Sequence, residues 1–287
     1  VLKNELRNSG VEVKLKTSVK KIEKSEVFKV FTDSEIFEAK KLIIATGGKS
    51  YEVTGSSGDG YSFSKELGLK IVEPRPALTP CYIKDYSYTT LAGVSFRNAI
   101  LELWRDNKKL GTYEGDLLFT HKNLSGPLII DNSRYIKKDD KLRINFSGEK
   151  LEIFDKNLRN TINNNGNKFV KNIFDNPNFS ERFIKVILKE CEISEETKCN
   201  SLKKEQIKRL IEALGNHAYE VSKLEGFNIA MVTAGGVALE EINKNTMESK
   251  KIKDLYIVGE LLDIDGDTGG YNIQGAYSTG ALAAESI

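Results

Sequence analysis

Residues 11 to 39 carry three runs in which Val, Phe or Ile recur between polar residues: "VEVKL" (11–15), "VFKVFT" (27–32) and "EIFEA" (35–39). A period of two predicts half-buried strands, here a small antiparallel sheet. "KKLIIATGG" (40–48) differs, being a continuous apolar run that closes on small residues, the pattern of a strand buried within a parallel sheet. "SSGDGYSFSKELG" (56–68) then has turn chemistry followed by a helix that Gly68 closes. The prolines of "EPRPALTP" (73–80) predict a linker. Beyond it, "AILELWR", "KLGTY", "DLLFT" and "KLRINF" read as short strands of an inserted barrel or sandwich, with a helix in "SGPLIIDNSRYI" (125–136) that has Pro127 in its first turn. Residues 149–214 place apolar side chains at helical spacing and predict a helical subdomain closed at Gly215. Strands are predicted again in "AYEVSKLE" (218–225), "NIAMVTAGGV" (228–237) and "LYIVGE" (255–260), before a small-residue helix ends the chain.

Three stretches repeat one arrangement, an apolar run followed by glycines and small polar residues: "LIIATGG" (42–48), "MVTAGGV" (231–237) and "LYIVGE" leading to "TGGYNIQGA" (255–276). Glycine admits a ligand close to the backbone, and a helix N-terminus offers unpaired N–H groups to negative charge. In a parallel α/β sheet such strand ends gather at one edge, so the three together predict a nucleotide-cofactor crevice.

Composition narrows the classes. With 287 residues, two or three domains are expected. Forty-three basic against 41 acidic side chains leave a net charge of +2, which predicts neither a nucleic-acid partner nor an anionic membrane surface. No apolar run approaches the roughly 20 residues of a membrane helix. Three cysteines without CxxC spacing fit a reducing cytoplasm, and His121 and His217 are too few for a metal site. The run Asp263, Asp265, Asp267 resembles the start of a calcium loop but lacks the glycine and distal Glu. The chain opens on Val1 in what reads as the end of a helix, which predicts that a first segment precedes it.

"IIATGGKSYEVTGSSGDGY", "DLLFTHKNLSGPLII" and "VTAGGVALEEINKNTMESKKIKDLYIVGELLDIDGDTGGYNIQGAYSTGALA" resemble, in order, the signatures of the BaiN-like, aminoacetone-oxidase-like FAD-binding flavoproteins, of the type with two dinucleotide-binding domains. The resemblance implies a mixed α/β fold: an FAD-binding Rossmann-like domain (1–76 and 230–287), interrupted by a β-barrel substrate domain (77–148 and 216–229) that carries the helical subdomain (149–215). The N-terminal GxGxxG loop of such proteins is absent from these residues, and "GSSGDG" (55–60) has the wrong spacing to replace it. The chain is therefore expected to be the larger, C-terminal part of an oxidoreductase, inactive alone.

By the same resemblance, the backbone of Val19 faces adenine, Ala45, Thr46, Gly47 and Gly48 lie beside the diphosphate and ribityl chain, and Gly259 and Glu260 meet a ribityl hydroxyl. Gly269, Gly270, Tyr271, Asn272, Ile273 and Gln274 bring a helix N-terminus to the flavin, with N–H groups from Asn272 to Gln274 stabilising negative charge. The helix "GAYSTGALAAE" is then expected to pack tightly on the cofactor domain. His121 is the candidate catalytic side chain, as proton donor or orienter. The implied chemistry is hydride exchange between flavin N5 and a small amine or a conjugated carbonyl compound, with NAD(P)H or oxygen as redox partner. A non-catalytic scaffold that keeps the fold without the cofactor is the alternative.

Overall fold

The computed structural model describes residues 2–287, and side chains from Asn4 onward. Helix α1 (Leu2–Asn8) precedes a three-stranded antiparallel sheet of β1 (Val19–Lys24), β2 (Phe28–Thr32) and β3 (Ile36–Ala39). The strand expected over residues 11–15 does not form: Val11, Val13 and Leu15 are 54%, 55% and 80% exposed. The ladder starts instead at Val19, paired with Thr32, because alternation alone supplies no partner for backbone N–H and C=O groups.

Next come β4 (Leu42–Ile44), α2 (Asp59–Glu66) and β5 (Ile71–Ala77), and then the inserted segment: β6 (Cys81–Ile83), β7 (Ser95–Arg105), β8 (Lys108–Phe119), β9 (Leu124–Ser125), α3 (Pro127–Ile130) and β10 (Lys141–Asn145). Helices α4 (Leu151–Asn164), α5 (Glu181–Glu190) and α6 (Lys204–Gly215) follow, with β11 (His217–Leu224) returning to the barrel. Strands β12 (Val232–Val237) and β13 (Leu255–Ile257) and helix α7 (Tyr271–Glu285) complete the chain.

The inserted strands form a closed barrel in the order β10-β11-β6-β9-β8-β7. "KLGTY" and "DLLFT", read as separate strands, belong to the single strand β8, and the helix expected over 125–136 is confined to Pro127–Ile130. The barrel interior holds Phe96, Phe119 and Phe146, with Phe96 meeting Phe119 edge-on and Phe146 tilted while Phe119 and Phe146 stack, and Phe183 of α5 reaches in with ring centroids 4.7 and 5.0 Å from those of Phe96 and Phe146. In α4, Phe154, Leu158 and Ile162 repeat every four residues and are buried; in α5, Ser180 caps the Phe183 N–H and Phe183, Ile184, Ile187 and Leu188 form the inward stripe. The helices thus share one core with the barrel. Gly215 ends α6 where a Cβ would lie 2.8 Å from Leu151 Cδ1 and 2.9 Å from Phe154 Cδ1, so the lack of a side chain there lets α6 sit closely on the side chains of α4.

Outside the barrel, β4 pairs in parallel with β13, Ile44 opposite Ile257, as the continuous apolar runs predict. The proline-rich segment is a strand, not a linker: β5 pairs antiparallel with β12. This sheet has two strands, so each has a free edge, and Pro74 falls opposite the register shift between Ala234 and Gly236, where no donor is required. The glycines of "VTAGGV" serve that bulge. With φ of +88° and +136°, Gly235 and Gly236 would carry a Cβ 2.5 Å from the carbonyl oxygens of Glu73 and Leu261, so the close approach is the chain's own backbone rather than a ligand.

Candidate functional site

β13 delivers Gly259 and Glu260 into a one-turn 3-10 helix. Oε1 of Glu260 accepts the Thr233 N–H at 2.6 Å, and Oγ1 of Thr233 accepts the N–H groups of Lys49 at 2.7 Å and Ser50 at 3.1 Å. A Cβ on Gly48 would stand 2.6 Å from both of those oxygens. The segments after β4 and β13 are thereby tied together through Thr233 at the start of β12, and one carboxylate oxygen expected to meet a ribityl hydroxyl is engaged by the protein itself.

The Gly269–Gly270 turn starts α7, and Gly270 adopts φ +92° at the cap. Asn272 locks the preceding loop: its Oδ1 accepts the Gly266 N–H at 2.8 Å and its Nδ2 donates to the Gly266 carbonyl at 2.9 Å. The Gln274 N–H donates to the Gly270 carbonyl at 3.0 Å, so it is spent within the helix. The N–H groups of Tyr271, Asn272 and Ile273 have no helical carbonyl to reach, as at any helix N-terminus. Further along, Thr279 Oγ1 accepts the Gly259 N–H at 2.9 Å and donates to the Gly275 carbonyl at 2.8 Å, pinning the helix to the Gly259 turn.

These elements wall a cleft of about 470 Å³, lined among others by Met231, Gly259, Glu260, Asp265, Asn272 and Ala276. The tight packing expected along α7 is absent: of its residues only Ala283 is buried, while Tyr271, Ile273 and Tyr277 are 66%, 78% and 70% exposed. A Cβ on Gly275 or Gly280 would meet nothing within 4 Å. The described chain's own packing therefore does not demand those glycines.

The structure gathers Gly259, Glu260, Tyr271, Asn272 and Ile273 on one cleft, with Gly48 behind Glu260. Ala45 and Thr46 are exposed after β4, and Thr46 lies over Gly60, where a Cβ would come within 2.0 Å of its hydroxyl. Gly47 continues that segment, its Cβ position 3.6 Å from Ser56 Oγ. Val19 is half-buried against the core beneath β4 and β13. His121 is exposed in the turn between β8 and β9 and does not line the cleft. Sequence reasoning missed Met231, Thr233 and Asp265. The acidic run was the one available signal for Asp265, whose partner is Arg134, 3.1 Å away and on the barrel. Burial pushes the Asp265 carboxyl above the ordinary aspartate range, against the pull of Arg134 and Arg75. Tyr61, whose O–H donates to the Glu260 carbonyl at 3.4 Å, is raised well above the usual phenol by burial and by the Glu260 charge. Among the described residues there is no cluster of three or more metal-ligating side chains, and no helix long and apolar enough to cross a membrane.

A parallel strand pair leading into glycine turns and a helix N-terminus, interrupted by a closed barrel, defines a Rossmann-like domain with an inserted β-barrel. The chain belongs to the family described as HI0933-like protein Rossmann domain, which it matches over residues 1–286. It is 28% identical to a ribosomal RNA dihydrouridine synthase of Haemophilus influenzae and 29% identical to a 3-dehydro-bile acid delta(4,6)-reductase of Clostridium scindens, in each case with all of this chain aligned to 71% of the relative. A ribosomal RNA dihydrouridine synthase of Escherichia coli is 29% identical, all of this chain covering 70% of it. The family is one of dinucleotide-binding proteins that includes oxidoreductases.

Proposed function

We propose that the full-length protein is an FAD-dependent oxidoreductase that reduces a carbon–carbon double bond conjugated to a carbonyl, with the cleft beside α7 as part of its cofactor site. The observation that carries this reading is the free N–H end of α7, set beside a helix face whose Gly275 and Gly280 the protein leaves uncovered. Such a surface fits a flat, partly anionic group better than a side chain. When bound, FAD supplies hydride chemistry at N5.

The chain's own residues would do the rest. Gly259 and Ala276 keep the cleft wall thin, and Asn272 fixes the turn that presents the N–H groups of Tyr271 to Ile273. Those donors would stabilise negative charge at the pyrimidine edge without rearrangement. Glu260 holds Thr233, and through it the Lys49–Ser50 backbone, at the cleft's inner end.

Of the two substrate classes that the family resemblance implies, a small amine or a conjugated carbonyl compound, the relatives' names support the second. Saturating uridine and reducing a 3-oxo delta(4,6) steroid both add hydride to a C=C bond conjugated to a carbonyl. Reduction requires an electron source, for which NAD(P)H meeting the open cleft transiently is the candidate. Three buried, unpaired cysteines support a reducing, cytoplasmic setting.

The test is an FAD titration of the full-length protein by absorbance, followed by anaerobic reduction and reoxidation with a dienone steroid or a uridine-containing ribosomal RNA fragment, and, separately, by anaerobic mixing of the oxidised flavin with a small amine, which would bleach it. Reoxidation by either of the first two supports the reading. RNA as the productive substrate, with steep salt dependence, would overturn the expectation from net charge that no nucleic acid is bound. Reaction with the amine alone would refute the proposed bond type, and failure to bind any flavin would favour the scaffold.

A further inference from the structure

The acidic loop between β13 and α7 is held from the barrel. Arg134 follows α3 and its side chain is 12% exposed. Its Nε lies 3.1 Å from Asp265 Oδ2, its Nη2 donates to Asp267 Oδ1 at 2.9 Å, and its Nη1 donates to the Asp265 carbonyl oxygen at 3.1 Å. One turn earlier, Asp131 accepts the Thr268 N–H at 2.8 Å on one oxygen and the Thr268 hydroxyl at 3.2 Å on the other. The next residue in the loop after Asp265 is Gly266, both of whose backbone polar groups are bonded to Asn272 in the first turn of α7. A continuous path thus runs from the barrel through Arg134, Asp265 and Gly266 to Asn272.

We propose that Arg134 is a positioning residue: through its guanidinium the barrel fixes the first turn of α7, and with it the N–H groups at the end of the cleft. The role of that turn toward a cofactor rests on the function proposed above; the mechanical link does not. The chemistry requires arginine. Two acceptors, the Asp265 carbonyl oxygen and Asp267 Oδ1, take hydrogen bonds from different nitrogens of one planar group while the Asp265 carboxylate stands beside it as an ion pair, an arrangement that suits a fork of N–H donors and that a lysine ammonium does not reproduce. Burial makes the pairing matter, since Asp265 without Arg134 would keep Arg75 as its favourable charge, with Asp263 and Asp267 opposing. Two members of the acidic run, Asp265 and Asp267, are thus ion-paired with Arg134.

The experiment compares Arg134→Lys, Arg134→Met and Thr268→Val with the wild type in the full-length protein, reading hydrogen exchange peptide by peptide and the FAD dissociation constant. Positioning by the fork predicts that the Lys and Met variants both exchange residues 266–275 about tenfold faster or more, the size expected for losing charge-assisted bonds, while β7 and β10 are unchanged. FAD binding should weaken in both by a comparable factor. Thr268→Val should give a smaller change confined to the same segment, which keeps the proposal testable if Arg134→Met does not fold. A Lys variant that matches the wild type would overturn it, because charge alone would then suffice; so would exchange that rises equally throughout the barrel. If the wild type binds no FAD, the functional reading falls and the exchange pattern alone judges the link.

Discussion

Gly48→Ala perturbs the centre of the site without changing charge or requiring an unusual backbone angle. The added methyl would lie 2.6 Å from Glu260 Oε1, 2.6 Å from Thr233 Oγ1 and 2.8 Å from Glu260 Cδ. Glu260 can swing aside, but doing so breaks the 2.6 Å bond it accepts from Thr233, and Thr233 is held within β12. A hydrogen bond to a charged acceptor contributes about 1.5–3 kcal/mol, and overpacking costs about 1–3 kcal/mol, part of which the carboxylate's freedom relieves. The sum is about 2–4 kcal/mol, or roughly 4–8 °C in melting temperature for a chain of this size. Urea unfolding of the wild type, Gly48→Ala, Glu260→Ala and the double variant reads it directly. The clash predicts that the cost of Gly48→Ala falls by about 1 kcal/mol or more in the Glu260→Ala background. A Gly48→Ala cost below about 0.5 kcal/mol, or one unchanged by removing Glu260, would refute the reasoning.

Other perturbations test separate parts of the structure. Gly275→Ala and Gly280→Ala meet open space in α7, so each should raise the stability of the flavin-free protein by about 0.5–1 kcal/mol, whereas FAD affinity should fall if that face receives the cofactor; thermal melts with and without FAD check the opposite signs. Asn178, 7% exposed, clips the bulge of β7 by accepting the Arg97 N–H at 2.9 Å and donating to the carbonyls of Arg97 at 2.8 Å and Phe146 at 3.0 Å. Asn178→Ala should cost about 2–4 kcal/mol by denaturant unfolding. His217 is stacked on Tyr219 at 4.4 Å, its Nδ1 3.2 Å from the Ala213 carbonyl and its Nε2 3.2 Å from the Tyr88 hydroxyl. Burial holds its pKa below the ordinary histidine value, against Glu190 and Glu212, so it favours the neutral ring. A depressed pKa gives stability that is present above the unfolded value of about 6.5 and lost as pH falls through the folded one. The difference in melting temperature between wild type and His217→Gln should therefore move in the variant's favour below that pH, and a difference constant with pH would contradict the assignment.

Much of the fold was legible from neighbours along the chain. The apolar runs ending in Ile44 and Ile257 marked a parallel pair, the helical spacing within 149–214 marked the helices that include α5, and "AILELWR" and "KLRINF" were legible as strands of a barrel or sandwich. In each case the deciding information is local: a side-chain period, a run of apolar residues, a turn residue. The ordered glycine motifs likewise marked the family, and several of their residues lie together on the cleft beside α7.

What only the tertiary structure decided depends on groups brought together from far apart. "VEVKL" and the proline-rich segment have the local signals of a strand and a linker, but β12 offers backbone partners to the second and the first gains no ladder. Gly235 and Gly236 have the appearance of ligand glycines until the carbonyls of Glu73 and Leu261 occupy their Cβ positions. Arg134 and Asp265 stand 131 residues apart, and neither side chain carries a local sign of the other. Periodicity and turn chemistry act between neighbours, and so the sequence by itself determined the elements and their family; hydrogen-bond partners, steric limits and charge pairing act through space, and so only the folded chain decided which glycine, carboxylate and N–H group face the cleft.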